Sequence, residues 1–151
     1  MTTLCVDASF LIAVYDETDQ HHRTAEKRFV EYFERTPNQL LAPWPILYET
    51  VSTRLVGHRG RMRRFRRDWL TLQREDRLRL LDDQPLRLKA LGECLAELDR
   101  NVRSYRSLSL ADRVIRALLA SPTLRIDHFI TSNLGDFADI CRENKRSMIS
   151  I

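Results

Sequence analysis

Asp7, Glu49, Asp112 and Asp136 draw attention through their placement. Asp7 ends the short apolar run Thr3-Leu4-Cys5-Val6, and Asp136 follows the apolar run Phe129-Ile130-Thr131. Glu49 and Asp112 each lie near the start of an apolar-periodic stretch. An acid at the end of a buried strand adds nothing to packing, and in an open parallel sheet the crevice beyond the strands' carboxyl ends is where ligands bind. Oxygen-bearing side chains converging there make a site for a hard divalent cation. Each acid also has a local explanation, as a helix cap, an exposed charge or a complement to a helix dipole. Their projection to one edge favours the shared site. Ser9 and Thr131 sit in the same segments, where a hydroxyl orients a carboxylate or a bound water, or serves a turn. Asn133 offers an amide oxygen without charge.

The elements that must position these residues alternate along the chain. Residues 3–7 and 125–131 read as short buried strands, 39–42 and 77–81 as two more, and 147–151 as a last one. Helices are expected over 9–15, from Thr18 or Asp19 to about 35 with Ala25, Phe29, Tyr32 and Phe33 inward, and from Pro45 through Val56. Gly57 and Gly60 then interrupt the helical pattern. Met62, Phe65, Trp69 and Leu72 form an apolar stripe beyond them. Pro85 opens a helix whose Leu88, Leu91, Leu95 and Leu98 share a face, as core or as a dimer seam. After a polar loop, Ser109 caps a helix closed by Pro122, and 134–143 form a short one. Strands alternating with helices predict an α/β three-layer sandwich with a mostly parallel central sheet, as a single domain over 1–151.

The bulk properties narrow the setting. A length of 151 residues with 43% hydrophobic content suits one folded domain. No apolar run approaches the roughly 20 residues of a membrane helix, and no basic stretch precedes the first apolar one, so neither a span nor a signal peptide is expected. Cys5, Cys94 and Cys141 are odd in number and lack CxxC spacing, which fits a reducing cytoplasm. The net charge of +4 says little, but Arg54, Arg59, Arg61, Arg63, Arg64, Arg66 and Arg67 cluster with no acid before Asp68. Such a cluster is either an electrostatic footprint for phosphate or a solvated helix face. His21 and His22 read as surface or local capping residues, Cys5 as a small buried hydrophobe, and Trp44 and Trp69 as core or interface.

The motifs around the acids resemble those of a known family. Val6-Asp7-Ala8-Ser9-Phe10-Leu11-Ile12 looks like the opening motif of PIN-domain nucleases, and Leu47-Tyr48-Glu49-Thr50 resembles their second acidic position. Leu108-Ser109-Leu110-Ala111-Asp112 resembles the third. Thr131-Ser132-Asn133-Leu134-Gly135-Asp136-Phe137 is similar to the closing motif of VapC-like toxins, and His22 with Ala25 matches a recurrent spot in the second helix. The resemblance spans essentially the whole chain in order. It implies a PIN-like fold, a ribonuclease dependent on Mg2+ or Mn2+, a cognate antitoxin and a homodimer. It further implies Asp7 and Asp112 as main metal ligands, Glu49 on a second metal or its water, and Asp136 completing the shell. Many relatives carry an acid where this chain has Asn133, so either Asn133 or Asp136 faces the metal; charge favours Asp136. Arg59, Arg61, Arg63, Arg64, Arg66 and Arg67 are the expected contacts to RNA or to a partner. A PIN-like RNA-binding module with weak catalysis is the alternative. A phosphotransfer receiver fits poorly, because no suitably placed lysine follows Thr131.

Overall fold

In the computed structural model, which describes residues 1–99 and 107–151, five short strands form one sheet. They are β1 (Thr3–Val6), β2 (Gln39–Pro43), β3 (Leu78–Leu81), β4 (His128–Thr131) and β5 (Ser147–Ser150). All pair in parallel, in the order β3-β2-β1-β4-β5. The apolar runs occupy the middle: every residue of β1 is buried, as are Leu40, Leu41, Phe129 and Ile130 beside it. The edge strands β3 and β5 expose Arg79, Leu80, Ser147 and Ser150, which are one-sided positions by necessity.

The helices are α1 (Ala8–Tyr15), α2 (His22–Phe29), α3 (Trp44–Thr50), α4 (Thr53–Val56), α5 (Arg59–Arg74), α6 (Gln84–Ala96), α7 (Leu110–Leu119) and α8 (Leu134–Glu143). A wide π turn extends α2 over Val30–Glu34, and a 3-10 turn follows α6. From β1 to β3 the chain steps one way across the sheet, and from β4 to β5 the other way. Right-handed crossovers therefore put α1–α5 on one face and α6–α8 on the other. Helix contacts agree: α1 packs on α2 and α5, α7 packs on α6 and α8, and α3 touches both α1 and α7. This is the expected sandwich, with a sheet that is wholly parallel.

Several expected boundaries move. The helix expected through Val56 stops at Thr50 and restarts at Thr53. Gly60 lies inside the first turn of α5, so it does not interrupt that helix. The second helix starts at His22: Asp16 and Asp19 spend their carboxylates on the Thr18 and His21 amides in the preceding turns. The strand expected from 125 begins at His128, because the Asp127 carboxylate turns back to accept from the Thr3 amide at 2.8 Å. The polar loop before Ser109 lies largely outside the described residues. The largest change concerns α6. Leu88, Leu95 and Leu98 are 82%, 57% and 67% exposed, so this leucine face is not core.

α5 and α8 end alike. Asp76 and Lys145 take a left-handed conformation (φ 55° each), and the next amides, of Arg77 and Arg146, reach back to the Leu72 and Cys141 carbonyls at 2.8 Å. The two arginines then gather carbonyls at the amino edge of the sheet. Arg77 donates to Phe33, Thr36 and Asn38, and Arg146 to Leu119, Ser121, Leu124 and Ile126. These clamps fix where β3 and β5 begin. The opposite edge is left to the acids.

Candidate active site at the carboxyl edge

The strand order reverses between β1 and β4, and that switch point is where an open α/β sheet leaves a crevice. Asp7 follows β1 there and caps α1, with Oδ1 accepting from the Ala8 amide at 2.7 Å. Its Oδ2 accepts from Ser9 Oγ at 2.9 Å and from Thr131 Oγ1, at the end of β4, at 3.0 Å. The same hydroxyls receive amides in turn, Ser132 on Ser9 and Asn133 on Thr131. Ser9 and Thr131 thus support Asp7 and brace the closing segment at once. Asp7 is only 6% exposed. Burial pushes its carboxyl above the usual range, the bonds from Ser9, Thr131 and Ala8 pull it down, and the charge of Asp112 pushes it up again.

Asp112 stands in the first turn of α7. Ser109 Oγ donates to Asp112 Oδ2 at 2.8 Å and receives the Asp112 amide at 3.1 Å, while the Ser109 amide reaches the same carboxylate oxygen at 3.2 Å. This capping box engages Oδ2, and Oδ1 makes no hydrogen bond among the described residues. Glu49, expected in the first turn or two of its helix, stands in the second turn of α3. Because α3 ends at Thr50, Glu49 sits in its last turn, where the helix dipole disfavours a carboxylate. Its carboxylate has no hydrogen-bond partner among the described residues. Glu49 is exposed at the rim of the crevice, and the desolvation of its carboxylate there, then the charges of Asp7 and Asp112, hold it above the usual range. Neither capping nor the dipole accounts for Glu49.

The closing motif turns into α8 through Asn133, whose side chain caps nothing and instead donates Nδ2 to Asp136 Oδ2. Asp136 is half-buried and Asn133 exposed. The structure therefore makes these two residues partners. Asp7, Glu49 and Asp112 form the electrostatically linked group, and Asp136 joins the edge through α8.

As a metal site the donor set fits in kind: oxygen ligands only, with carboxylates as the charges acting on Asp7 and Glu49. In the conformation shown, no three His, Cys, Asp or Glu side chains among the described residues close on one point as ligands. His22 belongs elsewhere. Its Nδ1 donates to the Ala13 carbonyl at 2.8 Å and ties α2 to α1. The three cysteines are free thiols, and Cys5 is buried and pushed up to about 12, chiefly by burial.

The arginine cluster divides in two, which sequence reading missed. Arg54 and Arg61 converge on the buried Asp16 at 2.5 and 2.9 Å, and Arg61 also pairs with Glu17 at 2.9 Å. Arg64 pairs with Glu26 at 3.1 Å and Arg67 with Asp68 at 2.8 Å. Arg59, Arg63 and Arg66 fall on the outer face and make no ion pair among the described residues. With Met62, Trp69 and Leu70 they line an open groove of about 360 Å³. A second groove, of about 490 Å³, opens beside Glu49 between Tyr48, Leu88, Leu91 and Leu110. Asp83 lines it too, buried and paired with Arg87 at 2.9 Å, so its role is structural.

The sequence matches no protein-family model and no curated protein. Solved structures do share its fold. One is VapC20 of Mycobacterium tuberculosis, a sarcin–ricin loop cleaving toxin. It is 20% identical over 90% of this chain and 94% of its own, with a TM-score of 0.60. Another is VapBC2 of Rickettsia felis, bound to a DNA fragment from their promoter. It is 12% identical over 99% of each chain, with a TM-score of 0.57. The fold of this chain is thus the PIN-like fold of VapC toxins, as the motifs predict. Among the described residues no helix is long and apolar enough to cross a membrane.

Proposed function

We propose that this chain is a divalent-metal-dependent RNA endonuclease, the toxin of a toxin–antitoxin pair. The observation that carries this reading is the group Asp7, Glu49 and Asp112 at the switch point. The fold sets Asp7 against the charge of Asp112 and Glu49 against both, with Glu49 also facing the carboxyl end of a helix. Such an arrangement costs stability and is retained where it serves function. The toxin fold and the motif order support the same reading, and a cytoplasmic setting suits the free thiols.

Asp7, Glu49, Asp112 and Asp136 would hold Mg2+ or Mn2+. Bound there, the ion would supply an activated water and offset charge on the leaving oxygen. The chain's own groups do the rest. Ser9 and Thr131 hold the Asp7 carboxylate in one orientation and favour its ionised form against burial. Ser109 does the same for Asp112. Glu49, unbonded and raised, orients a water or takes its proton on a carboxylate oxygen. The outer stripe Arg59, Arg63 and Arg66 meets RNA phosphate or an acidic segment of the antitoxin. The exposed leucine face of α6, continuous with the groove beside Glu49, is the seam of a homodimer.

The purified chain should cut single-stranded or loop RNA with Mg2+ or Mn2+ and stop in EDTA. Asp7→Asn and Asp112→Asn should each abolish cleavage with the circular dichroism unchanged. Undiminished cleavage by the Asp7→Asn protein sinks the assignment. The open spacing of the acids favours one alternative, an RNA-binding module of the same fold with weak catalysis. Tight RNA binding without cleavage at any metal concentration would select it.

A further inference from the structure

Asp112 and Arg116 are one turn apart on α7 and so project from the same face. Arg116 crosses from there to α8. Its Nη1 and Nη2 form a two-pronged pair with the Asp139 carboxylate at 2.7 and 2.8 Å. Nη1 also donates to the backbone carbonyl of Asp136 at 2.5 Å. The Arg116 side chain is 19% exposed, and the bond to Asp139 holds its pKa above the ordinary value, so the cation is permanent. Asp136 is thereby held from both sides: its carbonyl by Arg116, its carboxylate by Asn133. Nothing in the motifs around the acids points to Arg116 or Asp139.

We propose that Arg116 is a positioning residue, which locks the register of α8 on α7 and so keeps the Asp136 carboxylate on the edge that Asp112 faces. The proposal rests on the metal-site reading above. It has an opposite in the same atoms. As a bare charge, Arg116 would repel a divalent cation, and its loss would tighten metal binding. As a positioning group, its loss must weaken binding. Lysine keeps the charge but lacks the planar fork needed to hold Asp139 and a carbonyl together.

The test is a calorimetric Mn2+ titration of the metal-free full chain and its Arg116→Lys, Arg116→Leu and Arg146→Leu variants. Arg146 holds four carbonyls at the amino edge, so its variant reports lost stability alone. Both Arg116 variants should raise the Mn2+ Kd about 10-fold, the scale of a lost supporting contact. Arg146→Leu should lower Tm and leave Kd in place. Amide hydrogen exchange should quicken over 134–137 in the Arg116 variants and stay unchanged over 8–10. An unchanged or tighter Kd in Arg116→Lys overturns the proposal. If the parent chain binds no Mn2+, the metal-site reading fails by itself. Exchange over 134–137 then decides the register claim, and parent-like exchange there overturns it.

Discussion

Asp7 and Glu49 are held above the ordinary carboxylate range, each chiefly by desolvation, Asp7 then by Asp112 and Glu49 by both neighbours. In the unfolded chain both return to ordinary values, so without metal the folded protein binds these protons more tightly. The stability they contribute is complete below the unfolded values and is lost as pH rises through the folded ones. Glu49→Gln should therefore raise Tm at pH 7 in EDTA, with the gain vanishing toward about pH 4, where ordinary carboxylates protonate. Mn2+ should reverse the order by stabilising the parent more. An equal Tm at every pH would mean that the three carboxylates do not oppose one another. The closing motif yields a second expectation. Asp136→Asn should weaken metal affinity about 10-fold or more. Asn133→Ala should lower the cleavage rate with less effect on metal affinity, since it removes an amide oxygen that would hold a water or a substrate oxygen but no charge. A titration in which only Asn133→Ala weakens metal binding would reverse these roles.

At the scale of elements, α5 separates two jobs that share one residue type. Asp16 is 1% exposed, and although burial would raise it, Thr18 and Arg54 hold it down to about 2. Its contribution is present above the ordinary carboxylate value and lost as pH falls through about 2. Asp16→Asn should cost about 1–3 kcal/mol in urea unfolding, since it leaves Arg54 and Arg61 without their shared anion; the figure allows for the partial exposure of Arg54. Arg59, Arg63 and Arg66 to Ala should flatten the salt dependence of RNA or antitoxin binding and leave stability within about 0.5 kcal/mol. A salt slope equal to the parent's would reduce them to a solvated face. The sequence already held much of this architecture, because the buried strands are short apolar runs and Ser109 with Asp112 spells a capping box. It concealed the helix ends. The left-handed positions carry Asp76 and Lys145 where glycine is usual, and α3 breaks at Val51-Ser52 with no proline or glycine to mark it. The sorting of arginines was hidden for another reason: it depends on which acids of α2 and of the turn before it lie beneath α5, a tertiary fact. The candidate acids were legible as residues, but the placement of Glu49 against the dipole needed the short α3.

For the whole molecule, the exposed leucines of α6 give the clearest expectation. Leu88→Lys with Leu95→Glu should leave the monomer folded and lower the mass seen by light scattering at micromolar concentration from dimer to monomer. A parent chain already monomeric there would remove the proposed seam. A different consequence follows from the bond between Thr131 and Asp7, which joins residues 124 positions apart. The central strand β1 has its β2 partner early, but its β4 partner and the hydroxyl that steadies Asp7 are made only some 124 positions later. Contacts this distant in sequence form late and slowly. A nascent chain still on the ribosome, short of His128, has an unsupported Asp7 and no closing acid. If the chain cuts RNA as proposed, it would thus be harmless while it is being made. Fragments released at Ala120 should show neither cooperative unfolding nor cleavage, and a fragment that cuts RNA would show that the site assembles before the sheet does.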